Sequence, residues 1–228
     1  MGGKSYKDIV NEVCSYLSTE FAGETYKLSP LVTYEQHVAR AKANVKRSAK
    51  LYQKRIRSGL GILHEEKLLD KEKVKEIIDS YSVKKLMKKS RRAEFREILG
   101  FDEDKMVEFY LKGTEFFYQC QYAESSDIFL FLTAIAPSVS AFWLSLGLSE
   151  NMKGDPESAL GPFIMAYNLN RNNLNILMNV VNCYITLKRE EEAKIFVDEV
   201  LDYLNSKKNP QKYEEIREKI ITIREKIK

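Results

Sequence analysis

Apolar side chains recur at helical spacing through most of the chain. In the first hundred residues they predict four helices, at residues 6–21, 34–56, 71–81 and 83–99. Residues 58–61 (SGLG) are expected to break the second of these, because each glycine weakens the helical conformation. Gly100 is predicted to end the last one, and Asp102 to cap the helix that follows.

From residue 106 onwards, the same small and large apolar positions return every 34 residues. Trp143, Leu146 and Gly147, followed by Ala159 and Phe163, match the W-x2-L-G … A-x3-F pattern of the tetratricopeptide repeat (TPR). The register predicts three units without an insertion, at residues 106–139, 140–173 and 174–207. In each unit, a pair of helices would stack on its neighbours to form a solenoid.

The repeat positions also predict how the helices pack. Small residues are expected where the two helices of a unit cross, at Gly113, Gly147, Ser125, Ala159 and Ala193. Large apolar residues are expected to fill the space between units, at Phe109, Trp143, Leu177, Phe129, Phe163 and Val197. We therefore predict that Trp143 and Phe163 are buried.

Turn residues agree with this register at one end of unit 2 and conflict with it further on. Gly154 predicts the end of a helix, Asp155 an N-cap and Pro156 the first helical position. Pro162 falls inside the second helix of the unit, where we expect a kink or a delayed helix start. Beyond Pro210, isoleucines at helical spacing predict a terminal capping helix.

The fold class predicted is therefore all-α. It comprises a helical N-terminal region (residues 1–100), a solenoid of three repeats (101–209) and a C-terminal capping helix (210–228). The 228 residues are 44% hydrophobic and 31% charged, which is typical of a soluble, helix-rich protein. Charge separates the halves: residues 1–100 carry a net charge of +9, and residues 101–228 a net charge of −5.

Several classes of function find no support in the residues present. The three cysteines are widely spaced and form no CxxC pair, which excludes a zinc finger or disulfide scaffold and suits a reducing cytoplasm. His64 has no second histidine at metal-ligand spacing, and no nucleotide-binding, HExxH or GxSxG motif occurs. We predict no enzymatic activity, no cofactor and no metal. The longest apolar stretch, residues 128–137, is about half of what a membrane span needs, so no membrane insertion is expected.

The concave face of such a solenoid is lined by the first helix of each unit. The positions expected to face inward are Val107, Tyr110, Thr114, Phe117, Ala141, Leu144, Leu148, Asn151, Asn175, Met178, Asn182 and Ile185. The resulting groove is apolar and aromatic, with asparagines at one end that can bond the main chain of an extended peptide. Alternatively, the large groove residues serve only for packing. Tyr110 and Thr114 replace the basic and amide residues that clamp a carboxylate in some co-chaperones, so a clamp of that kind is not expected.

Three stretches, residues 95–110, 117–122 and 140–147, together resemble the class II chaperones of bacterial type III secretion (the SycD, LcrH and IpgC group). The resemblance implies a cytoplasmic bacterial protein that guards hydrophobic translocator subunits before export. It implies that Tyr110, Phe117 and Tyr122 are groove aromatics that receive a short extended translocator segment. This sequence departs from the pattern at Cys120 and Ser145, where glycines are usual, and at Pro156.

The predicted function is that of a non-enzymatic chaperone that keeps a translocator soluble and export-competent. A secretion gatekeeper protein is a second candidate partner, and a homodimer is a further expectation. The leading alternative is a TPR adaptor or scaffold that joins two proteins without chaperoning either, and a third class is an RNA-associated protein.

The basic helix in the N-terminal region bears on that third class. Its apolar stripe favours packing on protein over binding to nucleic acid, and consists of Val38, Ala41, Val45, Tyr52 and Ile56. We expect residues 31–58 to form a helix that docks on an acidic protein surface, either that of this chain's own repeats or that of a second component of the secretion apparatus.

Overall fold

The computed structural model describes residues 34–80, 95–207 and 210–227, and every regular element in these ranges is helical. The chain divides into two compact units, Met1–Asp102 and Glu103–Lys228. The helix expected at residues 6–21, and most of that expected at 83–99, lie outside the described residues.

The first unit contains three described helices, α1 (Tyr34–Glu65), α2 (Lys71–Ser80) and α3 (Phe95–Ile98). The predicted break at residues 58–61 is wrong, because α1 continues through both glycines. Leu60 and Leu63 are fully buried in this stretch, and α1 packs on α2. Burying two leucines outweighs the cost of about 1 kcal/mol for each glycine in a helix.

Helix α1 ends where Lys67 takes a left-handed conformation, with φ of +60°. The His64 ring contributes to this turn, because its Nδ1 lies 2.8 Å from the Leu69 carbonyl oxygen. A carbonyl can only accept, so Nδ1 carries the proton. Asp70 then caps α2 by accepting a hydrogen bond from the Lys73 amide.

The second unit is an array of helix pairs, each helix packed on the next along the chain. Its helices are α4 (Glu103–Tyr118), α5 (Tyr122–Ile135), α6 (Ser140–Met152), α7 (Pro156–Leu169), α8 (Leu174–Thr186), α9 (Glu190–Asn205) and, after a short 3-10 turn at Pro210–Tyr213, α10 (Glu214–Lys226). One helix pair falls in each predicted repeat, namely α4–α5, α6–α7 and α8–α9, although α4 begins at Glu103, three residues before the predicted start of the first repeat. The predicted all-α solenoid is confirmed.

Two glycines lie where the helices of a pair cross most closely. A Cβ added at Gly147 would lie 2.5 Å from Cδ1 of Phe163, and one added at Gly113 would lie 3.0 Å from Cζ of Phe129. Since real Cβ atoms do not approach another carbon as closely as 2.5 Å, the crossing at Gly147 leaves no room for a methyl group. This confirms the role predicted for both glycines.

Most of the large residues predicted between units are buried, including Phe109, Phe163 and Leu177. Trp143 is an exception, and its predicted burial is wrong, since the side chain is only partly buried at the edge of the core. Its indole N–H donates to the Pro137 carbonyl oxygen at 2.7 Å. The need to satisfy this polar group keeps the ring at the turn between α5 and α6.

The turns within the three pairs share one backbone device. Cys120, Gly154 and Lys188 lie 34 residues apart and have φ angles of +60°, +82° and +57°. A left-handed residue at this place ends the first helix of each unit. Only the middle unit uses glycine there, although glycine adopts this conformation without steric cost.

Helix α7 begins where the turn residues predict, and one of the two outcomes expected at Pro162 is not observed. The Asp155 side chain accepts a hydrogen bond from the Ser158 amide at 3.0 Å, and Pro156 takes the first helical position. The helix then runs through Pro162, so a delayed start is wrong. Proline removes one backbone hydrogen bond, and the burial of Ala159 and Phe163 on the same helix offsets that loss.

The predicted capping helix is present as α10. Ile220 and Ile227 are buried, and Ile216 and Ile223 pack against the core of units 2 and 3. An ion pair of 2.9 Å between Arg224 and Asp198 joins α10 to α9 at the surface. The helix therefore closes the apolar end of the array.

Candidate functional site

A cavity of about 130 Å³ lies between α4 and α6, the first helices of units 1 and 2. It is smaller than the roughly 300–1,000 Å³ of pockets that enclose a small-molecule ligand. Its lining residues are Tyr110, Thr114, Phe117, Tyr118, Phe129, Ser145 and Leu148. The size and the apolar lining suit a single side chain of a bound polypeptide.

The Tyr110 ring is fixed between two other aromatic rings. Its centroid lies 5.6 Å from that of Phe129 and 5.8 Å from that of Phe142. Its hydroxyl accepts a hydrogen bond from Ser145 Oγ at 3.4 Å, the long limit for such a bond. The Thr114 hydroxyl donates to the Tyr110 carbonyl oxygen at 2.9 Å, so Thr114 has already used its hydrogen-bond donor.

Phe117 forms one wall of the cavity and is supported from outside it. Its ring centroid lies 5.3 Å from that of Tyr122 and 6.1 Å from that of Tyr118, and both ring pairs meet edge to face. Tyr118 is 80% exposed and stands at the cavity rim. The pKa of Tyr122 is raised, first by a hydrogen bond with Cys120 and then by burial. Tyr122 thus contacts a lining residue and is not part of the lining.

The other predicted groove residues differ in their burial. Leu144, Leu148 and Met178 are partly buried and pack against the core of units 2 and 3. Asn151, Asn175 and Asn182 are exposed, and within the described ranges their side-chain amides form no hydrogen bond. These amides are available to the main chain of a ligand.

A buried polar cluster joins α5 to α6 next to the cavity. Ser125 Oγ and Ser149 Oγ are 2.9 Å apart, and Ser126 donates to the Glu150 carboxylate at 2.5 Å. Glu150 is only 2% exposed, and its second oxygen pairs with Lys153 at 2.8 Å. Ser149 Oγ also donates to the Ser145 carbonyl oxygen at 2.9 Å, which fixes the backbone at the cavity.

Comparison with known proteins gives matches among solved structures. No protein-family model matches the chain, and none of the curated proteins searched matches its sequence. A chain of the CopN–Scc3 complex is 25% identical, with a TM-score of 0.54, over 60% of this chain and 79% of that one. The type III secretion translocator chaperone SycD of Yersinia enterocolitica is 14% identical, with a TM-score of 0.50, over 58% of this chain and 97% of SycD.

A third structure holds a bound partner. PcrH in complex with the chaperone-binding region of PopD is 16% identical, with a TM-score of 0.50, over 56% of this chain and 94% of the matched chain. This chain has the fold of the class II type III secretion chaperones. The resemblance drawn from the sequence is thus confirmed at the level of the fold.

The structure separates the predicted groove residues into three groups. Tyr110, Thr114, Phe117 and Leu148 meet at the cavity. Leu144 and Met178 pack towards the core, and the three asparagines are exposed. Tyr122 lies behind Phe117.

Three lining residues were not predicted, namely Tyr118, Phe129 and Ser145. Ser145 was noticeable as a departure from the usual glycine, whereas Phe129 was assigned only to packing between units. No signal in the repeat register indicated Tyr118.

Two further observations concern other kinds of site. In the ranges for which the structure is described, no group of three or more His, Cys, Asp or Glu residues could hold a metal ion. None of the helices described above has the length and apolarity needed to cross a membrane.

Proposed function

We propose that this protein is a non-enzymatic chaperone that binds an extended segment of a type III secretion translocator along the first helices of its repeats. Binding keeps the translocator soluble and export-competent in the bacterial cytoplasm. The proposal requires no cofactor, since shape and hydrogen bonding hold the segment. A component of the secretion machinery or a competing partner then displaces it.

The cavity between α4 and α6 is the observation that carries this proposal. It is open, aromatic and sized for one side chain, and exposed amides continue along the same set of helices at Asn151, Asn175 and Asn182. Side-chain pockets combined with free main-chain partners are what an extended peptide needs. Structures of the same fold support it, since SycD is a translocator chaperone and PcrH is seen with the chaperone-binding region of PopD.

Co-expression with the hydrophobic translocators of the same bacterium tests the proposal. We expect the translocator to be soluble with the full chain and to aggregate without it. Phe117→Ala and Leu148→Ala should lower the soluble yield, whereas Ile195→Ala, an exposed residue of α9, should not. A translocator that stays soluble without this chain would favour the adaptor or scaffold alternative.

We also propose that α1 docks on an acidic protein surface, such as that of a gatekeeper protein or a second copy of this chain. Lys50, Lys54 and Arg57 are exposed on one side of α1, and Leu51, which borders this side, is 56% exposed. Apolar contacts would supply most of the affinity, and the cations would set orientation and association rate. The CopN–Scc3 complex shows that this fold can be part of a larger assembly.

Charge reversal tests this second interaction. Lys50→Glu, Lys54→Glu and Arg57→Glu together should abolish gatekeeper co-purification or self-association while translocator solubility is retained. The control reverses three other exposed lysines of the same unit, Lys67, Lys71 and Lys75. If the two triple variants behave alike, α1 has no docking role.

A further inference from the structure

The cavity between α4 and α6 contains two facing hydroxyls within an otherwise mainly apolar lining. We propose that Tyr110 and Ser145 select a threonine of the bound segment at this cavity, in preference to the isosteric valine or a larger aliphatic residue. The inference rests on the proposed function and specifies the chemistry of one anchor in the ligand.

The hydrogen-bond arrangement supplies the first argument. Ser145 Oγ donates to the Tyr110 hydroxyl, so the Tyr110 proton is left without an acceptor among the described residues. Because this bond is 3.4 Å long, it holds the two groups together weakly. A hydroxyl placed beside them accepts the Tyr110 proton at little cost to the existing bond.

The two hydroxyls are also held in position before a ligand arrives. Phe129 and Phe142 flank the Tyr110 ring, and the Ser145 carbonyl is bonded by Ser149. Ser149 is itself tied to Ser125 on the neighbouring helix. A preorganised polar pair needs little ordering on binding, so its hydrogen bonds contribute to affinity and selectivity.

The remaining lining determines which hydroxyl-bearing side chain fits. Phe117, Phe129 and Leu148 present apolar surface, and the Thr114 hydroxyl is already used by the Tyr110 carbonyl. Threonine offers one methyl group to these walls and one hydroxyl to the polar pair. Valine or leucine would cover the Tyr110 proton without accepting it, and leaving a desolvated donor unsatisfied is costly.

Two substitutions each remove one hydroxyl of the polar pair. Ser145→Gly removes the serine hydroxyl, and Tyr110→Phe removes the tyrosine hydroxyl without changing the ring. Tyr203→Phe is the matched control, because it deletes a tyrosine hydroxyl on α9, outside the lining of the cavity.

A displayed library of random 12-residue peptides, selected on the full chain, is the probe. We expect one anchor position to be enriched in threonine for the wild type and for Tyr203→Phe. For Tyr110→Phe, the same position should change to valine or leucine. For Ser145→Gly, the enrichment in threonine should be weaker, because Ser145 no longer holds the Tyr110 hydroxyl in place. In a selected peptide, replacing that threonine by valine should weaken binding to the wild type by about 3- to 10-fold. It should weaken binding to Tyr110→Phe by less than about twofold.

Two results overturn the inference and are distinguishable. The first result is that peptides selected on the wild type carry an aliphatic anchor and no longer bind when Ser145→Leu or Thr114→Leu fills the cavity. In that case only the threonine preference is wrong. The same conclusion follows if replacing the peptide threonine by valine weakens binding to the wild type and to Tyr110→Phe equally. If filling the cavity displaces no selected peptide, both this inference and the proposed groove function are wrong.

Discussion

The repeat unit and the N-terminal unit hold their helices in different ways. In the repeat unit each of α5 to α9 packs against the helices before and after it, and the same crossing recurs every 34 residues. In the N-terminal unit the length of α1 depends on two buried leucines, Leu60 and Leu63, that override two glycines. Recurrent packing makes the repeat unit predictable from short motifs. In the N-terminal unit, by contrast, the burial of the two leucines decides where α1 ends, and no short motif reports it.

Surface charge shows the same contrast. On the first repeat helix, lysines pair with glutamates three residues away, as Lys105 does with Glu108 at 2.7 Å and Lys112 with Glu115 at 2.6 Å. The exposed cations Lys50, Lys54 and Arg57 of α1 have no acidic residue three or four positions away on their own helix. The lysines of α4 are thus paired within their own helix, whereas these cations of α1 are not, and this difference underlies the docking proposed for α1.

The largest effect that tests this contrast is the loss of a buried ring. Phe163→Ala should lower the free energy of unfolding by about 3–5 kcal/mol, because the side chain is fully buried between helices of the repeat unit. Leu51→Ala on the exposed face of α1 should change it by less than about 0.5 kcal/mol. Chemical denaturation followed by circular dichroism measures both. Equal effects would contradict the repeat packing described here.

The same substitution in the two units should have opposite signs. Gly147→Ala should destabilise by about 1–3 kcal/mol, since its Cβ would overlap the Phe163 ring. Gly61→Ala should stabilise by up to about 1 kcal/mol, because a Cβ there meets nothing within 4 Å and alanine favours the helix. Thermal melting of the two variants decides the point, and a stabilising Gly147→Ala would show that the crossing is looser than described.

The left-handed turns should respond alike in both units, with smaller effects. Lys188→Gly in the repeats and Lys67→Gly after α1 should each stabilise by about 0.5–1 kcal/mol, because glycine avoids the steric cost of positive φ. Gly154→Ala should destabilise by a similar amount. Denaturation midpoints measure all three, and a destabilising Lys188→Gly would mean that its side chain contributes more than its backbone costs.

The sequence predicted those features that repeat. The 34-residue spacing placed Gly113 and Gly147 at the helix crossings and gave three helix pairs. It failed for Trp143, because a repeat position does not show that an indole N–H will bond a turn carbonyl. The break at residues 58–61 was wrong because local propensity ignores tertiary burial.

The candidate site was predictable in part for a related reason. Counting along the first helix of each repeat indicated Tyr110, Thr114, Phe117 and Leu148. The cavity, however, is formed by three helices together, and Phe129 and Ser145 reach it from α5 and α6. Such a convergence depends on how the helices are arranged, which no spacing along one helix reports.

Hydrogen exchange of the full chain, with and without a co-purified translocator, tests the central claim most directly. If the segment binds along the first helices of the repeats, amides of α4 and α6 should exchange at least about tenfold more slowly in the complex, because binding suppresses their local opening. Exchange in α9 and α10 should change little. Slowing confined to residues 34–80, with α4 and α6 unchanged, would contradict the account.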